Sequence, residues 1–148
     1  MREILFRGFY PDESRKTTIT INETKVKGLW VFGYYVFRRA RSGVFGQTVT
    51  DSDFDKHIIV TNRGESYEVV PETVGQYTGL KDKNGKKIFE GDTCNYGDYV
   101  GVIDFDEDDC KFILTYDETD ITDFSCIWGK ELEVIGNIFE KTELLEVK

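Results

Sequence analysis

The sequence is poor in the residues and segments that mark several common classes of protein. Its 148 residues include one histidine, two prolines and three cysteines. No apolar run approaches the roughly 20 residues that a membrane-spanning helix needs. The first residues contain no long apolar stretch and no small-residue cleavage site, so nothing marks the chain for secretion. We therefore expect a soluble protein that works in the cytoplasm without a membrane partner.

The few cysteines and the one histidine argue against a metal site or a disulfide framework. Cys94, Cys110 and Cys126 are evenly spaced and form no CxxC pair, and His57 is the one imidazole. A structural zinc site takes four Cys or His ligands in close pairs. An odd number of cysteines without a secretion signal does not suit a disulfide framework. We predict three buried, reduced thiols, no metal site and no cofactor.

An alternating acidic series is the nearest approach to a cation site. Asp104, Asp106 and Asp108 match the start of a calcium loop, which then needs Gly at the sixth position and Glu at the twelfth. The sequence has Asp109 and Thr115 at those two positions. We therefore expect a solvated hairpin turn here.

Motifs of catalytic sites are missing as well. His57 has no serine or cysteine nearby in a recognisable nucleophile context. Carboxylates are abundant, but no separate cluster predicts a pair whose pKa values are driven apart, as acid–base catalysis requires. We predict that the protein is not an enzyme and has no catalytic residues. His57 should lie at the surface or have its hydrogen bonds satisfied in the core.

The net charge of −9 is distributed unevenly along the chain. Residues 1–87 carry 15 basic and 11 acidic side chains, a balance of +4, whereas residues 88–148 carry 4 basic and 17 acidic ones, a balance of −13. Nucleic-acid affinity depends on Lys and Arg displacing counterions, so the acidic part would be repelled by a phosphate backbone. Ordinary solubility explains this surface. Mimicry of nucleic acid toward a basic host protein is the functional alternative.

The hydrophobic pattern has a period near two, with Gly, Asn and Asp between the apolar runs, which predicts a mainly β fold with little helix. Pro71 should interrupt the ladder because its ring nitrogen has no hydrogen to donate, and a short helix or helical turn is predicted near residues 72–77. Residues 41–54 are polar and contain glycine, which predicts a loop. Strands of the N-terminal part are predicted over 3–9, 16–22, 29–38, 58–61 and 66–70, the last two joined as a hairpin.

The chain after Lys87 is more regular than the chain before it. Short strands separated by turns favour a small barrel, because closure removes exposed strand edges. We predict a five-stranded SH3-like barrel over residues 79–148, packed on an irregular β-rich part over residues 1–78. The five predicted strands span 88–94, 99–105, 110–116, 123–127 and 132–139.

Residues 29–38 form the most aromatic stretch of the chain. On a strand, Trp30, Phe32 and Tyr34 share one face, while Tyr35 and Phe37 share the other, unless Gly33 inserts a bulge. Two aromatic faces predict that at least one packs in the core or in a subunit contact. Aromatic side chains beside guanidinium groups also suit single-stranded nucleic acid. The candidate interaction residues are Trp30, Phe32, Tyr34, Arg38, Arg39 and Arg41.

A specific resemblance is carried by residues 70–92, which read VPETVGQYTGLKDKNGKKIFEGD. This block closely resembles the hallmark of the YopX family of phage and prophage proteins. The opening MREILFR and the segment LEVIGNIFE over residues 132–140 are also similar to that family. The resemblance implies a β-rich fold with a small C-terminal barrel, in a protein carried by phages and integrated elements of bacteria. It carries over no catalytic residues.

Together these patterns predict a non-enzymatic module for protein interaction or self-assembly in the cytoplasm of a bacterial host cell. Exposed strand edges and the aromatic stretch favour a homo-oligomer, and a host or phage protein is a possible further partner. The alternative is an accessory role with nucleic acid. That role would use single-strand binding by the aromatic and arginine residues, which the overall charge disfavours, or the acidic mimicry.

Overall fold

Two antiparallel β-sheets make up the fold, so the prediction of a mainly β protein is confirmed. The computed structural model describes residues 3–39, 55–116, 121–123 and 131–140, with only the backbone described at 121–123. In that part of the chain, the one helical element is a 3₁₀ turn over Pro71–Thr73. None of the described segments forms a helix with the length and apolar character needed to cross a membrane.

The first sheet is built around one long strand. Its seven strands are β1 (Phe6–Pro11), β2 (Thr17–Ile21), β3 (Thr24–Arg38), β4 (Lys56–Val60), β5 (Ser66–Glu68), β6 (Gly75–Lys81) and β7 (Lys87–Phe89). Their order is β5-β4-β3-β1-β6-β7, and β2 pairs with β3 outside this path. β3 pairs with β2 near its start, with β1 along its middle and with β4 at its end. Its β-branched and aromatic residues suit this long extended conformation.

The core of the first sheet lies on the face formed by the odd-numbered residues of β3. Val31 packs there with Ile59 and Val69, and all three side chains are buried. After β5, the chain forms hydrogen bonds with both β4 and β1, the two strands that flank β3. The sheet therefore curls around this core. The Val69 N–H donates to a carbonyl of β4, and the Val70 N–H donates to a carbonyl of β1.

The helix or helical turn predicted near residues 72–77 is observed as a single 3₁₀ turn over Pro71–Thr73. The remainder of the predicted segment is strand, because β6 begins at Gly75. The Thr73 hydroxyl accepts the Phe9 N–H of β1 at 2.9 Å. Hydrogen bonding to β1 therefore holds this segment along the sheet and prevails over its local helical tendency.

The second sheet contains five strands, as predicted, in the order β11-β10-β9-β8-β12. They are β8 (Asp92–Tyr96), β9 (Tyr99–Asp106), β10 (Lys111–Thr115), β11 (Ile121–Asp123) and β12 (Glu133–Asn137). Its core consists of Ile88, Cys94, Ile103, Leu114, Leu132 and Val134. Within the described segments β11 and β12 are its two edges and do not pair with each other, so the observed sheet is not closed.

The strand predicted over residues 88–94 is divided between the two sheets. Gly91 has a φ of +87°, which side-chain-bearing residues rarely adopt, and it turns the chain between β7 and β8. β7 consequently belongs to the first sheet and β8 to the second. The continuous strand was therefore a wrong prediction, since a period-two pattern does not reveal a tight turn inside it.

Two predicted hairpin turns are confirmed. β4 and β5 pair antiparallel across the turn that contains Gly64. In the acidic turn between β9 and β10, Asp106 accepts the N–H groups of Asp108 and Asp109 through Oδ1, at 3.0 and 3.4 Å. The acidic residues Asp106 and Asp108 therefore lie in a hairpin turn, as predicted from the mismatch of Asp109 and Thr115 with a calcium loop.

The prediction of three buried thiols is wrong at Cys110. Cys94 is buried in the core of the second sheet, whereas Cys110 is exposed at the end of the β9–β10 turn, where its φ is +52°. Cys126 and the loop predicted over residues 41–54 lie outside the described residues. The predicted division between residues 78 and 79 falls within β6, where the pairing with β7 is irregular between Tyr77 and Lys81 and Gly79 has a φ of +89°.

Candidate functional site

Trp30 lies at the junction between the two sheets and is partly buried. Its ring packs edge-on against Phe9, with centroids 5.2 Å apart, and lies 6.1 Å from the ring of Phe139. Its Nε1–H donates to Oε1 of Glu140 at 2.8 Å. Trp30 thus holds the segment after β12 against β3, which is a packing role.

Beyond Trp30, the same face of β3 emerges into solvent. Phe32 still contacts Phe89 of β7, with 5.5 Å between ring centroids, yet it is 45% exposed. Tyr34 is 67% exposed and Val36 is 43% exposed. Among the described residues, the aromatic packing that covers this face therefore ends at Phe32, and Tyr34 and Val36 beyond it are exposed.

β4 widens this exposed strip to two strands. The register sets Tyr34 opposite Val60 and Val36 opposite Ile58, and directly opposite residues of an antiparallel pair lie on the same face. Ile58 and Val60 are half-buried. We call this surface the outer apolar face and define it by Phe32, Tyr34, Val36, Ile58 and Val60.

The candidate arginines lie at one end of the outer apolar face. Arg38 ends β3 opposite Lys56 of β4, and Arg39 follows it directly. Both arginines are exposed, while Arg41 lies outside the described residues. Lys56 Nζ is 4.0 Å from the Glu68 carboxylate. Arg38 thus lies four residues beyond Tyr34 along β3 and on the same face, whereas Trp30 is eight residues away from Arg38.

The opposite face of β3 places Tyr35 and Phe37 around the one histidine. The Tyr35 hydroxyl lies 2.6 Å from His57 Nδ1, and the Phe37 ring lies 5.1 Å from the imidazole. Burial raises the pKa of the Tyr35 hydroxyl. His57 is therefore a partly buried histidine with a hydrogen-bond partner in the fold, as the sequence predicts.

A buried ion pair that the sequence pattern did not predict joins the two sheets. Arg7 Nη1 lies 2.7 Å from Asp92 Oδ1, and both side chains are almost fully buried. The guanidinium also lies over the rings of Trp30 and Phe89, at 4.9 and 5.0 Å from their centroids. Burial raises the pKa of Asp92, and the Arg7 charge opposes that effect. A lone arginine in a short strand gives no sign of a partner so distant in sequence.

The turn between β7 and β8 lies at the centre of this junction. The Glu90 N–H donates to the Gln76 carbonyl of β6. The Gly91 N–H donates to Ile103 of β9, and the Gly91 carbonyl accepts the N–H of Ile138. Backbone hydrogen bonds therefore fix this turn to both sheets at once.

A cleft of about 280 Å³ opens beside this turn, between the 3₁₀ turn, β9 and the segment after β12. Three carboxylates, those of Glu72, Glu90 and Asp104, line it, and no Lys or Arg is among its lining residues. We call it the acid-lined cleft. Burial and the nearby Asp104 charge raise the pKa of Glu90. The cleft is thus a small site of negative potential.

The acidic groups are not arranged as a ligand set for a metal ion. Across the described segments, no three His, Cys, Asp or Glu side chains come together in a group that suits a metal. A further cleft of about 430 Å³ lies over β2 and the start of β3 and is lined by Glu13, Thr18, Thr20, Lys25 and Lys27.

Comparison with known proteins gives one finding. A family model described as YopX protein matches residues 41–146 and covers most of the chain. The matched range includes β4, the turn between β7 and β8, and all five strands of the second sheet. No curated protein matches the chain.

Proposed function

The chain belongs to the YopX family, and we propose from the exposure of its outer apolar face that it is a non-enzymatic protein that self-associates through that face. The observation that carries the proposal is the 67% exposure of Tyr34, in a row with the exposed Phe32 and Val36. Contiguous exposed apolar surface marks interaction sites on soluble proteins, and aromatic residues are enriched at the centres of interfaces.

A second copy of the chain suits this surface as its partner. In a two-fold contact, the same patch of each subunit meets its counterpart. When two β3–β4 ribbons pack antiparallel, the central Tyr34 residues come together. The basic ends formed by Arg38 and Lys56 then point in opposite directions, so like charges are kept apart.

A non-enzymatic role is supported by the environments of His57 and Cys94, two side chains that often act in catalysis. His57 is engaged by the Tyr35 hydroxyl. Burial raises the pKa of the Cys94 thiol to about 12, so this sulfur stays protonated at neutral pH.

The biological setting is part of the same proposal. The family resemblance favours a protein of phage or prophage origin that acts in the cytoplasm of a bacterium, with a host or phage protein as a further partner. We also propose that the second sheet closes into a small SH3-like barrel, because closure would remove the exposed edges of β11 and β12.

Light scattering coupled to size-exclusion chromatography tests self-association. The wild-type protein should give a mass above the monomer at micromolar concentration. Tyr34→Ser should raise the dissociation constant by about tenfold or more, as expected when a central tyrosine is removed from an interface. Tyr99→Ser is the matched control, because Tyr99 is 63% exposed but lies on β9 of the second sheet.

Two results would contradict the proposal. A monomeric mass for the wild-type protein at all concentrations up to about 100 μM, well above the ~1 μM dissociation constant of a moderate complex, would exclude self-association of the expected strength. Equal weakening by Tyr34→Ser and Tyr99→Ser would show that association does not use the outer apolar face.

Binding of single-stranded nucleic acid is the second candidate, because the exposed Phe32 and Tyr34 lie on the same face of β3 as the exposed Arg38, with Arg39 directly after it. Stacking on aromatic rings with arginine–phosphate contacts is how such proteins bind. A fluorescence anisotropy titration at low salt would then show binding that Arg38→Ala and Arg39→Ala weaken and that added salt abolishes. Absence of wild-type binding at low salt would exclude this candidate.

A further inference from the structure

We propose that the acid-lined cleft is a separate binding site, which receives the side chain of an arginine presented by a protein partner. The cleft is formed by the 3₁₀ turn, β9 and the segment after β12, whereas the outer apolar face lies on β3 and β4. The proposal is therefore independent of self-association. It assigns the protein a second binding site, for a partner that presents an arginine.

The size and walls of the cleft suit one elongated side chain. Its volume of about 280 Å³ is slightly smaller than the roughly 300–1,000 Å³ that holds a whole small molecule. Val74, Val102 and Phe139 contribute apolar lining, and the half-exposed Ile138 stands beside them. An alkyl stem lying against these residues would remove apolar surface from water on both sides of the contact.

The charged end of the occupant must be a cation. Glu72, Glu90 and Asp104 all line the cleft, and its lining includes no basic residue. Arg7 is held by Asp92 at 2.7 Å and is not among the lining residues. Glu90 is half-buried; burial and the Asp104 charge raise the pKa of its carboxyl, and the charge of Arg7 partly opposes them.

A guanidinium group fits this cleft better than an ammonium group. It is planar, weakly hydrated and presents five N–H donors, so it can serve more than one carboxylate in a partly dry site. It also stacks on aromatic rings, and the Phe139 ring lines the cleft. Lysine carries a compact and strongly hydrated charge that loses more on leaving water.

An NMR titration with N-acetyl-arginine N-methylamide tests the site with a probe that mimics an arginine within a polypeptide. We expect saturable shifts of the backbone amides of Gly91, Ile103 and Ile138. Glu90→Gln should weaken binding by about tenfold or more, as expected for loss of a charge-assisted hydrogen bond. If Glu90→Gln does not fold, Asp104→Asn carries the same expectation, because Asp104 is exposed.

Three controls separate this site from general attraction to an acidic protein. Glu107→Gln removes the same charge from the exposed β9–β10 turn and should change the affinity by less than about twofold. Tyr34→Ser should leave the affinity unchanged, because Tyr34 belongs to the outer apolar face. The neutral isostere N-acetyl-citrulline N-methylamide should produce no saturable shift.

The proposal is overturned if the arginine probe gives no saturable shift at the three amides. It is also overturned if the citrulline probe shifts them equally, or if Glu107→Gln weakens binding as much as Glu90→Gln does. Because a single amino-acid derivative is the probe, each of these results leaves the test of self-association unaffected.

Discussion

Arg7 of β1 and Asp92 of β8 form an ion pair of 2.7 Å that joins the first sheet to the second. In the described part of the chain, each of the other ion pairs has at least one partly exposed partner. The same guanidinium contacts the rings of Trp30 and Phe89. One side chain thereby connects β1, β3, β7 and β8.

Arg7→Met should lower the free energy of unfolding by about 3–5 kcal/mol, because it leaves Asp92 buried without its partner. Urea denaturation followed by circular dichroism measures the change. Lys83→Met is the control, since Lys83 lies 3.3 Å from Glu133 but both side chains are well exposed. That variant should cost less than about 1 kcal/mol.

A double variant tests whether the two charges act as a pair. Arg7→Met combined with Asp92→Asn should cost less than the sum of the two single variants, because neither charge is then left alone. Additive costs would show that Arg7 and Asp92 contribute to stability independently.

Asp82 should make stability depend on acid pH. Its Oδ1 accepts the N–H groups of Asn84 and Lys86 at 2.9 and 2.8 Å, and its Oδ2 accepts that of Val134 at 3.0 Å. Burial raises the pKa of Asp82, but these three bonds outweigh burial and the pKa lies below 3.8. A lowered pKa in the folded state means that the stabilisation exists above the unfolded pKa and is lost as pH falls through the folded value.

Asp82→Asn should therefore lower the free energy of unfolding by about 1.5–3 kcal/mol at neutral pH. The difference from wild type should shrink between about pH 5 and pH 2, as measured by urea denaturation at each pH. Asp98→Asn changes an exposed aspartate of the β8–β9 turn and should show no such convergence. A constant difference for Asp82→Asn would contradict the role of its ionised carboxylate.

Cys110 and Cys94 should differ sharply in alkylation. Cys110 is exposed, whereas burial raises the pKa of Cys94 to about 12. In the folded protein at about pH 8, near the usual thiol pKa, iodoacetamide should modify Cys110 and spare Cys94. Peptide mapping by mass spectrometry measures both sites. Urea should make Cys94 reactive, and equal native rates would contradict its burial.

Gly33→Ala should be strongly destabilising. An added Cβ would lie 2.0 Å from the Val60 carbonyl oxygen, and a backbone atom in a paired strand cannot move aside cheaply. The expected cost is about 3 kcal/mol or more, measured by thermal unfolding. Gly64→Ala is the comparison, because its Cβ would meet nothing within 4 Å at a φ of +82°. It should cost only about 1 kcal/mol, the usual strain of a left-handed residue.

The order of apolar, polar and turn-forming residues along the chain predicts those strands and turns that neighbouring residues determine. The aromatic stretch at 29–38 predicts most of β3, and the turn around Gly64 predicts the β4–β5 hairpin. The alternation of apolar residues does not predict the tight turn at Gly91, because the turn lies inside a run with a period of two. The strand at Gly75 replaces a predicted helix, because hydrogen bonds to β1 decide the conformation there.

The candidate sites show the same division. Alternation along β3 correctly groups Trp30, Phe32 and Tyr34 on one face. It cannot predict that Trp30 is covered while Tyr34 is exposed, because the cover comes from Phe139 and Glu140, far along the chain. The acid-lined cleft escapes prediction for the same reason, since its carboxylates come from separate elements.

The hydrogen bond from Trp30 to Glu140 has a consequence for the order of events during synthesis. Its two residues are separated by 110 positions, so at roughly 20 residues per second a ribosome takes at least about 5 s to make the partner of Trp30. During that interval Trp30 lacks the contacts that Phe139 and Glu140 supply, although Phe9 of β1 has already been made. The packing of Trp30 is therefore completed only after the segment that follows β12 has been synthesised.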